Sequence, residues 1–269
     1  MTNLSGAHVV VTGGSSGIGR EVARQVVARG ARASLIARDP VRLAAAAVDV
    51  GAAATASADV ADADALRAAF ASIVTDRGPC DVLVASAGSA HPGYFEQLDD
   101  AVFREQMDVD YFGTLHAIRA VVPSMIERGR GHIVTISSTA GLLGVFGYSA
   151  YAPAKFAVRG LAETLRAELA PHGIVVACAY PPDTRTPGFD AENELKPPET
   201  ERISAAIKPR EVEHVARAIV RGIERDRLVI TADGQTAALA RGAGLLGPYV
   251  RWSMDRQVRR ARGERRGRA

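Results

Sequence analysis

The sequence predicts an α/β fold of the Rossmann type: a doubly wound, mostly seven-stranded parallel sheet with helices on both faces, followed by a C-terminal appendage. Three observations predict this fold. Apolar runs of β-type composition alternate with helical patterns along most of the chain. These runs are continuous, as in strands that are covered on both faces. The first run leads through a glycine-rich turn straight into a helical pattern, which is typical of a nucleotide-binding unit.

The predicted strands and helices alternate in chain order. The strands are residues 8–12, 32–37, 54–58, 81–85, 132–137, 174–180 and 228–231. The helices are residues 17–29, 41–50, 63–77, 99–122, 151–170 and 209–225. This order places the ends of all seven strands at one edge of the sheet, where ligands of open α/β sheets bind.

A chain of 269 residues with 47% hydrophobic composition can bury one large core. We expect one domain over residues 1–235, including a substrate lid at about 183–207, and an apolar, arginine-rich appendage over 236–269. No apolar window reaches membrane-spanning length and no signal-peptide pattern is present, so a cytoplasmic protein is expected. Cys80 and Cys178 lie far apart in or beside apolar runs and are expected to be reduced. The histidines show no metal-ligand spacing, so no metal is expected.

Charge is unevenly distributed along the chain. From Arg251 to Ala269 eight arginines face only Asp255 and Glu264, a local balance of +6, so that the rest of the chain carries −3 of the overall +3. A basic tail can bind nucleic acid, but the body offers no matching basic pattern. We therefore expect no nucleic-acid partner, and a solvated terminus is the simplest interpretation of the tail.

The turn after the first strand has the sequence T-G-G-S-S-G-I-G, from Thr12 to Gly19. Glycines at positions 13, 17 and 19 permit positive φ and close backbone approach. The helix that follows presents free N–H groups and a positive dipole end to a pyrophosphate. This turn predicts a dinucleotide cofactor.

The end of the second strand predicts which dinucleotide binds. Folds that select NAD place an acid there for the ribose 2′-hydroxyl, whereas this chain has Ala37 followed by Arg38. Arg38 can form a fork to a 2′-phosphate, with Ser15 and Arg20 as candidate neighbours, so NADP is predicted. Arg38 could also be an ordinary surface arginine before a helix that starts at Pro40. Asp59, at the end of the third strand, could cap the next helix or accept from the adenine amino group.

A tyrosine, a lysine and a serine form the predicted catalytic group. Tyr151 and Lys155 are four residues apart and share a helix face, which places a positive charge near the phenol. Ser138 follows a buried strand, so it can meet Tyr151 at the carboxyl edge of the sheet. A phenol has a pKa of about 10, so proton exchange near neutrality needs a neighbouring cation. Together the three residues can donate a proton to a carbonyl oxygen.

With these motifs the chain resembles the short-chain dehydrogenase/reductase family over residues 5 to about 231. The resemblance implies that Tyr151 is the general acid, Ser138 orients the carbonyl, and Lys155 binds the nicotinamide ribose and lowers the Tyr151 pKa. It also implies that backbone groups between Pro181 and Thr186 hold the nicotinamide carboxamide. We expect a homo-oligomer, either a dimer or a tetramer. The implied cofactor contacts are Gly13, Ser15, Ser16, Gly17, Ile18, Gly19, Arg38, Asp59, Val60, Ala87, Gly88, Tyr151, Lys155, Pro181, Thr184 and Thr186.

The chain departs from the family pattern in two places. The family's N-N-A-G is A-S-A-G here, from Ala85 to Gly88, which removes asparagines that brace the sheet. The asparagine of the catalytic tetrad matches Asp110, which joins Ser138, Tyr151 and Lys155 in the predicted catalytic set. Aspartate could preserve the helix kink through its backbone carbonyl, while its carboxylate would change the charge of the proton relay.

A narrower resemblance lies in P-P-D-T, from Pro181 to Thr184, and in the residues that follow to Thr200. This lid is similar to that of the 3-ketodihydrosphingosine reductase subfamily. The resemblance implies NADPH-dependent reduction of the 3-keto group of that lipid to sphinganine. Candidate partners for the substrate's ammonium group are Asp183, Asp190, Glu192 and Glu194. Candidate linings for a tail channel are Leu142, Leu143, Val145, Phe146 and Phe189.

Two alternatives to this reaction are open. The chain could reduce another lipophilic ketone with NADPH, such as a 3-oxoacyl thioester or a steroid. Because Asp110 replaces the asparagine, it could also be a weakly active regulatory protein that binds a dinucleotide. The intact Ser138, Tyr151 and Lys155 argue against the second alternative.

The appendage could hold the protein at the inner membrane surface, or pack on the body or in a dimer contact. Its glycines and Pro248 interrupt helical periodicity, so a single long interfacial helix is not expected. Its arginines would form a basic flank for anionic lipid. Its apolar side chains are Leu239, Leu245, Leu246, Tyr249, Val250, Trp252 and Met254.

Overall fold

A computed structural model describes residues 1–205 and 207–266 of the chain. Within these residues, seven parallel strands form one sheet in the order β3-β2-β1-β4-β5-β6-β7. The strands are β1 His8–Thr12, β2 Arg32–Ala37, β3 Ala54–Ser57, β4 Val82–Ala85, β5 Gly131–Ile136, β6 Ile174–Tyr180 and β7 Val229–Thr231. The predicted Rossmann-type fold is confirmed, and the predicted strand ends differ by at most one residue.

The helices cover both faces of the sheet. They are α1 Gly17–Val27, α2 Pro40–Val50, α3 Ala63–Arg77, α4 Asp100–Gln106, α5 Gly113–Arg128, α6 Tyr151–Leu169, α7 Pro187–Leu195, α8 Pro198–Ala205, α9 Val212–Glu224 and α10 Gly234–Arg266. Successive residues of β1 face opposite sides: Val9 packs in the core beneath α1 and α9, and Val10 packs beneath α3 and α5. This alternation explains why the strands are apolar throughout.

The helix predicted over 99–122 is interrupted. A π-helical turn, Met107–Phe112, separates α4 from α5, and α5 continues to Arg128. Single π turns inside α-helices are frequent at functional sites, and this one contains Asp110. The distortion that we expected at Asp110 is therefore a π turn.

The lid and the appendage are more helical than the sequence predicts. The lid region forms α7 and α8, and the appendage forms α10. We expected glycines and Pro248 to interrupt the appendage, which is wrong for Gly247 and Pro248: helix continues through both, and the non-helical dihedrals lie at Gly242. Residue 206 of the lid, residues 267–269 of the appendage and the side chain of Leu246 lie outside the described residues.

Cys80 and Cys178 are free and buried, in agreement with the sequence interpretation. Within the described part of the chain, none of the helices combines the length and apolarity that a bilayer crossing requires.

Candidate active site

A cavity of about 740 Å³ runs along the carboxyl edge of the sheet. One end is formed by the glycine loop after β1 and by the end of β2. Its middle is formed by residues after β4, β5 and β6, and its far end by α7, α8 and α10. The cavity brings together the predicted cofactor and catalytic residues except Asp59 and Asp110, which do not line it.

The glycine loop leaves no room for a side chain at Gly13 or Gly19. Gly13 has φ +68, and a Cβ there would lie 2.8 Å from the backbone of Ala87. A Cβ on Gly19 would lie 2.5 Å from the carbonyl oxygen of Gly13. Gly17 has φ +52 and begins α1, so the N-terminus of that helix faces the cavity. Backbone N–H groups at a helix N-terminus, with no Cβ in the way, suit a pyrophosphate, so these residues fit a dinucleotide. Ser15, Ser16 and Ile18 complete this wall.

Ala37 and Arg38 line the cavity beyond the glycine loop. The Arg38 side chain is 64% exposed and lies 3.5 Å from Oδ2 of Asp59. Exposed ion pairs of this kind contribute little, so the guanidinium can turn toward a bound anion. Arg20, the other predicted neighbour, lies 3.9 Å from Asp49 instead. Arg42 lines the cavity and was missed, although its position four residues after Arg38 could have indicated it.

The predicted helix cap at Asp59 is wrong. Asp59 accepts a hydrogen bond from the N–H of Ala61 at 3.0 Å, within its own turn. The helix that follows is capped by Asp62, which accepts from the N–H groups of Asp64 and Ala65. Ala58 and Val60 line the cavity beside this turn. The adenine contact predicted for Asp59 stays a prediction.

Tyr151, Ser138 and Lys155 meet at the middle of the cavity. Tyr151 begins α6, and Nζ of Lys155, one turn later, lies 5.4 Å from the centre of its ring. Nζ also donates to the carbonyl oxygen of Ile136 at 3.1 Å, which ties the lysine to the end of β5. The Ser138 hydroxyl accepts from the N–H of Ala140 and lines the same part of the cavity as Tyr151. The arrangement can hold a carbonyl oxygen against two hydroxyl groups.

Asp110 joins this group from the π turn. Its Oδ1 lies 3.2 Å from Nζ of Lys155 and accepts from the N–H of Ser89 at 3.1 Å. Oδ2 is buried and has no partner among the described residues. Burial raises the pKa of Asp110, while the Lys155 charge opposes that rise. The Asp110 backbone carbonyl accepts from the hydroxyl of Thr114 at 2.7 Å.

The charge balance at Tyr151 differs from the one we expected. Burial and the neighbouring Asp110 carboxylate raise the Tyr151 pKa above its usual value, and the Ser138 side chain opposes them. The net lowering of the Tyr151 pKa that we expected is therefore not observed. Burial is the largest cause of the rise, and the Asp110 carboxylate is the next largest.

The A-S-A-G segment packs tightly beside this pair. A Cβ on Gly88 would lie 2.6 Å from Oδ1 of Asp110 and 3.1 Å from Nζ of Lys155, so only glycine leaves the ion pair undisturbed. The N–H of Ala87 donates to Oγ1 of Thr12 at 3.3 Å, which joins the turns after β4 and β1 without the family's asparagines.

The segment after β6 borders both parts of the cavity. Pro181 accepts a backbone hydrogen bond from Thr139, and the Thr184 hydroxyl donates to the carbonyl of Pro182 at 2.6 Å. Thr186 caps α7 by accepting from the N–H of Phe189. The three residues predicted to lie near the nicotinamide carboxamide all line the cavity: Pro181, Thr184 and Thr186.

The substrate side is lined by only some of the predicted residues. Asp183, Glu192, Leu143, Val145 and Phe189 line the cavity. Asp190 and Glu194 are exposed on α7, outside this lining. The predicted tail-channel role is wrong for Leu142, which packs in the core, and for Phe146, whose ring packs edge-on against Tyr94.

The appendage supplies a wall that we did not predict. Leu239, Tyr249, Val250 and Met254 of α10 line the cavity, and α10 packs on α8 of the lid. The apolar residues were visible in the sequence, but their long separation from the rest of the site hid their location. Packing on the body, one of the three placements left open for the appendage, is therefore observed.

Comparisons with known proteins agree with this geometry. The model of the short chain dehydrogenase family matches residues 7–196. A 3-dehydrosphinganine reductase of Danio rerio is 44% identical over 81% of this chain and 68% of its own length. A 3-ketodihydrosphingosine reductase of Dictyostelium discoideum is 42% identical over 88% of this chain and 78% of its own length.

A solved structure has the same fold. A short-chain dehydrogenase from Sphingobium yanoikuyae, in complex with NADPH, superposes with a TM-score of 0.77 at 30% identity. The match covers 93% of this chain and 95% of that one.

Proposed function

The chain belongs to the short chain dehydrogenase family, and on that premise we propose that it reduces the 3-keto group of 3-ketodihydrosphingosine to sphinganine with NADPH. Membership of the family makes it an oxidoreductase that acts on keto or hydroxyl groups. The observation that carries the proposed substrate is the cavity itself. It joins Tyr151 and Ser138 to an apolar chamber whose walls are a lid and α10.

The cofactor would occupy the end of the cavity beside the glycine loop. The pyrophosphate would lie against the backbone of Gly13, Gly17 and Gly19. The segment after β4, with Ala87 and Gly88, would line the cavity beside the cofactor. NADP is favoured over NAD because Arg38, with Arg42 beside it, can pair with a 2′-phosphate, and Ala37 stands where an acid would bind a 2′-hydroxyl. When bound, the reduced nicotinamide supplies a hydride.

Ser138 and Tyr151 would hold the ketone oxygen while negative charge develops on it. Hydrogen-bond donors aimed at a developing oxyanion stabilise the transition state more than the ground state. Tyr151 gives its proton to this oxygen, which completes the alcohol. The raised pKa of Tyr151 keeps the phenol protonated before the reaction. Lys155 stabilises the phenolate that is left and holds it in place until a proton returns.

Asp110 has a positioning role in this proposal. Its ion pair with Lys155 fixes the ammonium group beside Tyr151, with the carbonyl of Ile136 as the second anchor. A buried ion pair contributes little net stability, and removing one partner alone is costly. We therefore interpret the pair as fixing the geometry of the acid.

The alkyl tail of the substrate would run along the apolar end of the cavity. Leu143 and Val145 lie near the catalytic group, and Leu195, Ile203 and Met254 line the region between the lid and α10. Burial of alkyl chain contributes roughly 0.8 kcal/mol per CH₂ group, so even part of a long tail adds substantial affinity.

We also propose that α10 makes peripheral contact with an anionic membrane, from which this lipid would be taken. Leu245, Tyr249 and Trp252 are 89%, 68% and 52% exposed and share one face of the helix. Arg251, Arg256, Arg259 and Arg260 are exposed beside them. Tyr249 also lines the cavity, so the exposed apolar stripe adjoins the chamber for the tail.

The test is NADPH oxidation by the purified protein with three ketones of different classes. These are 3-ketodihydrosphingosine, a long-chain 3-oxoacyl thioester and a ketosteroid. We expect kcat/KM to be highest for 3-ketodihydrosphingosine. Faster reduction of either other ketone would assign the site to that class, and no oxidation with any of them would contradict a reductase role for these substrates.

A further inference from the structure

Asp183 is a cavity-lining carboxylate whose side chain makes no hydrogen bond or ion pair among the described residues. It follows Pro182 at the end of β6 and is only partly exposed. Its backbone is held on both sides: its carbonyl accepts from the N–H of Arg210 at 2.8 Å, and the next residue, Thr184, bonds to Pro182. A partly buried carboxylate on a rigid turn is costly unless a cation meets it.

The other cavity carboxylate, Glu192, is already paired. Its Oε1 accepts from the hydroxyl of Tyr148 and lies 3.0 Å from Nζ of Lys196. The Lys196 side chain is 2% exposed, bonds to Asn193 and packs on the Phe189 ring. Lys196 therefore belongs to the structure of α7 and neutralises Glu192.

The charges around Asp183 leave one negative charge uncompensated. The charged groups that act on it are Glu192, which raises its pKa, and Lys196, which lowers it. Two carboxylates and one ammonium sum to −1 when all are ionised. Burial and Glu192 together raise the Asp183 pKa, as expected for a carboxylate that lacks its own cation.

Asp183 also lines the same cavity as Tyr151 and Ser138. It lies two residues after Pro181, whose carbonyl accepts a hydrogen bond from the N–H of Thr139, the residue after Ser138. In 3-ketodihydrosphingosine the ammonium-bearing carbon is bonded directly to the keto carbon. A ketone held by Tyr151 and Ser138 must therefore place its ammonium group within the same part of the cavity.

We propose that Asp183 binds the ammonium group of the substrate and selects α-amino ketones over long-chain ketones that lack this charge. The inference rests on the proposed function and adds the residue that recognises the head group. Hydrogen bonds between charged groups contribute about 1.5–3 kcal/mol. The substrate's ammonium group would neutralise the one negative charge that remains after Lys196 pairs with Glu192.

The test compares Asp183→Asn with Glu194→Gln, which removes an equal charge from the exposed face of α7. Each is assayed with 3-ketodihydrosphingosine and with the same ketone carrying hydrogen in place of the ammonium group. We expect Asp183→Asn to lower kcat/KM for the amino ketone roughly 10- to 100-fold. It should leave kcat/KM for the uncharged ketone and the NADPH Kd unchanged. Glu194→Gln should leave kcat/KM for both ketones unchanged.

A second measurement needs no variant. Hexadecylamine should inhibit the wild-type protein more strongly than hexadecanol, because only the amine carries the cation. Equal inhibition by hexadecylamine and hexadecanol would overturn the role of Asp183. An equal fall of kcat/KM for both ketones in Asp183→Asn would overturn it too. The role would also be overturned if Asp183→Asn kept the wild-type ratio of kcat/KM for the amino ketone to kcat/KM for the uncharged ketone. A wild-type protein that does not reduce the amino ketone would instead remove the proposed function itself.

Discussion

The carboxylate of Asp110 lies 3.2 Å from the ammonium of Lys155, and both groups are buried beneath Tyr151. The family pattern has a neutral asparagine at this position, so this chain adds an anion to the catalytic group. The consequence is a Tyr151 pKa that is raised by Asp110 as well as by burial.

Asp110→Asn should therefore preserve activity at neutral pH and change its pH dependence. Removing the anion lowers the Tyr151 pKa, so the phenol loses its proton at lower pH. The alkaline limb of the kcat profile for ketone reduction should move to lower pH. Asparagine keeps an acceptor for the N–H of Ser89 and should support the fold.

Asp108→Asn is the matched control, because Asp108 lies in the same π turn but is exposed. Its profile should match that of the wild type. Complete loss of activity in Asp110→Asn at every pH would show that the carboxylate takes part directly in the reaction.

Arg38→Ala should weaken NADPH binding and leave NADH binding nearly unchanged. Loss of a charge-assisted fork to the 2′-phosphate predicts a rise in the NADPH Kd of roughly 10- to 100-fold. Fluorescence titration with both cofactors measures it, and Arg67→Ala, an exposed arginine of α3, is the control. An equal rise in the Kd of NADPH and of NADH would mean that Arg38 supports the loop and does not bind the 2′-phosphate.

The exposed face of α10 should bind anionic liposomes. Replacing Leu245 and Trp252 together by glutamine removes apolar contact while leaving the arginines, each worth about 1 kcal/mol near an anionic leaflet. The wild type should co-sediment with the liposomes at low salt, and a smaller fraction should co-sediment at high salt. The double variant should co-sediment only weakly at either salt concentration. Val48→Gln, at an exposed apolar site of α2, should behave as the wild type. A wild-type protein that never co-sediments would contradict this contact.

His132 should make stability depend on pH. Burial lowers its pKa to about 4, although the Asp226 charge opposes the shift. The unfolded chain therefore binds a proton at higher pH than the fold does, so stability is present above about pH 6.5 and is lost as pH falls toward 4. His132→Asn should lose this dependence.

Urea unfolding at pH 7 and pH 4.5 measures the effect. Between these values the wild type should lose about 2 kcal/mol more unfolding free energy than His132→Asn. His172→Asn, at an exposed histidine, should follow the wild type. Parallel losses in all three proteins would contradict the contribution of His132.

The fold and the catalytic group could be predicted because their signals are local. Continuous apolar strands, the glycine turn and the spacing of Tyr151 and Lys155 each fit within one element. The contribution of α10 could not, because it depends on how a distant segment packs around the cavity. The raised Tyr151 pKa was missed for the same reason: burial and the Asp110 carboxylate, which comes from another helix, both depend on packing between distant segments.

The most direct test of the account is sphinganine formation by the wild-type protein and by Tyr151→Phe. Both are incubated with 3-ketodihydrosphingosine and NADPH, the product is measured by mass spectrometry, and the NADPH Kd is measured separately. We predict sphinganine from the wild type, none above background from Tyr151→Phe, and the same NADPH Kd for both, because the phenol supplies a proton and not the cofactor site. Normal sphinganine formation by Tyr151→Phe would contradict the mechanism, and none from the wild type would contradict the function.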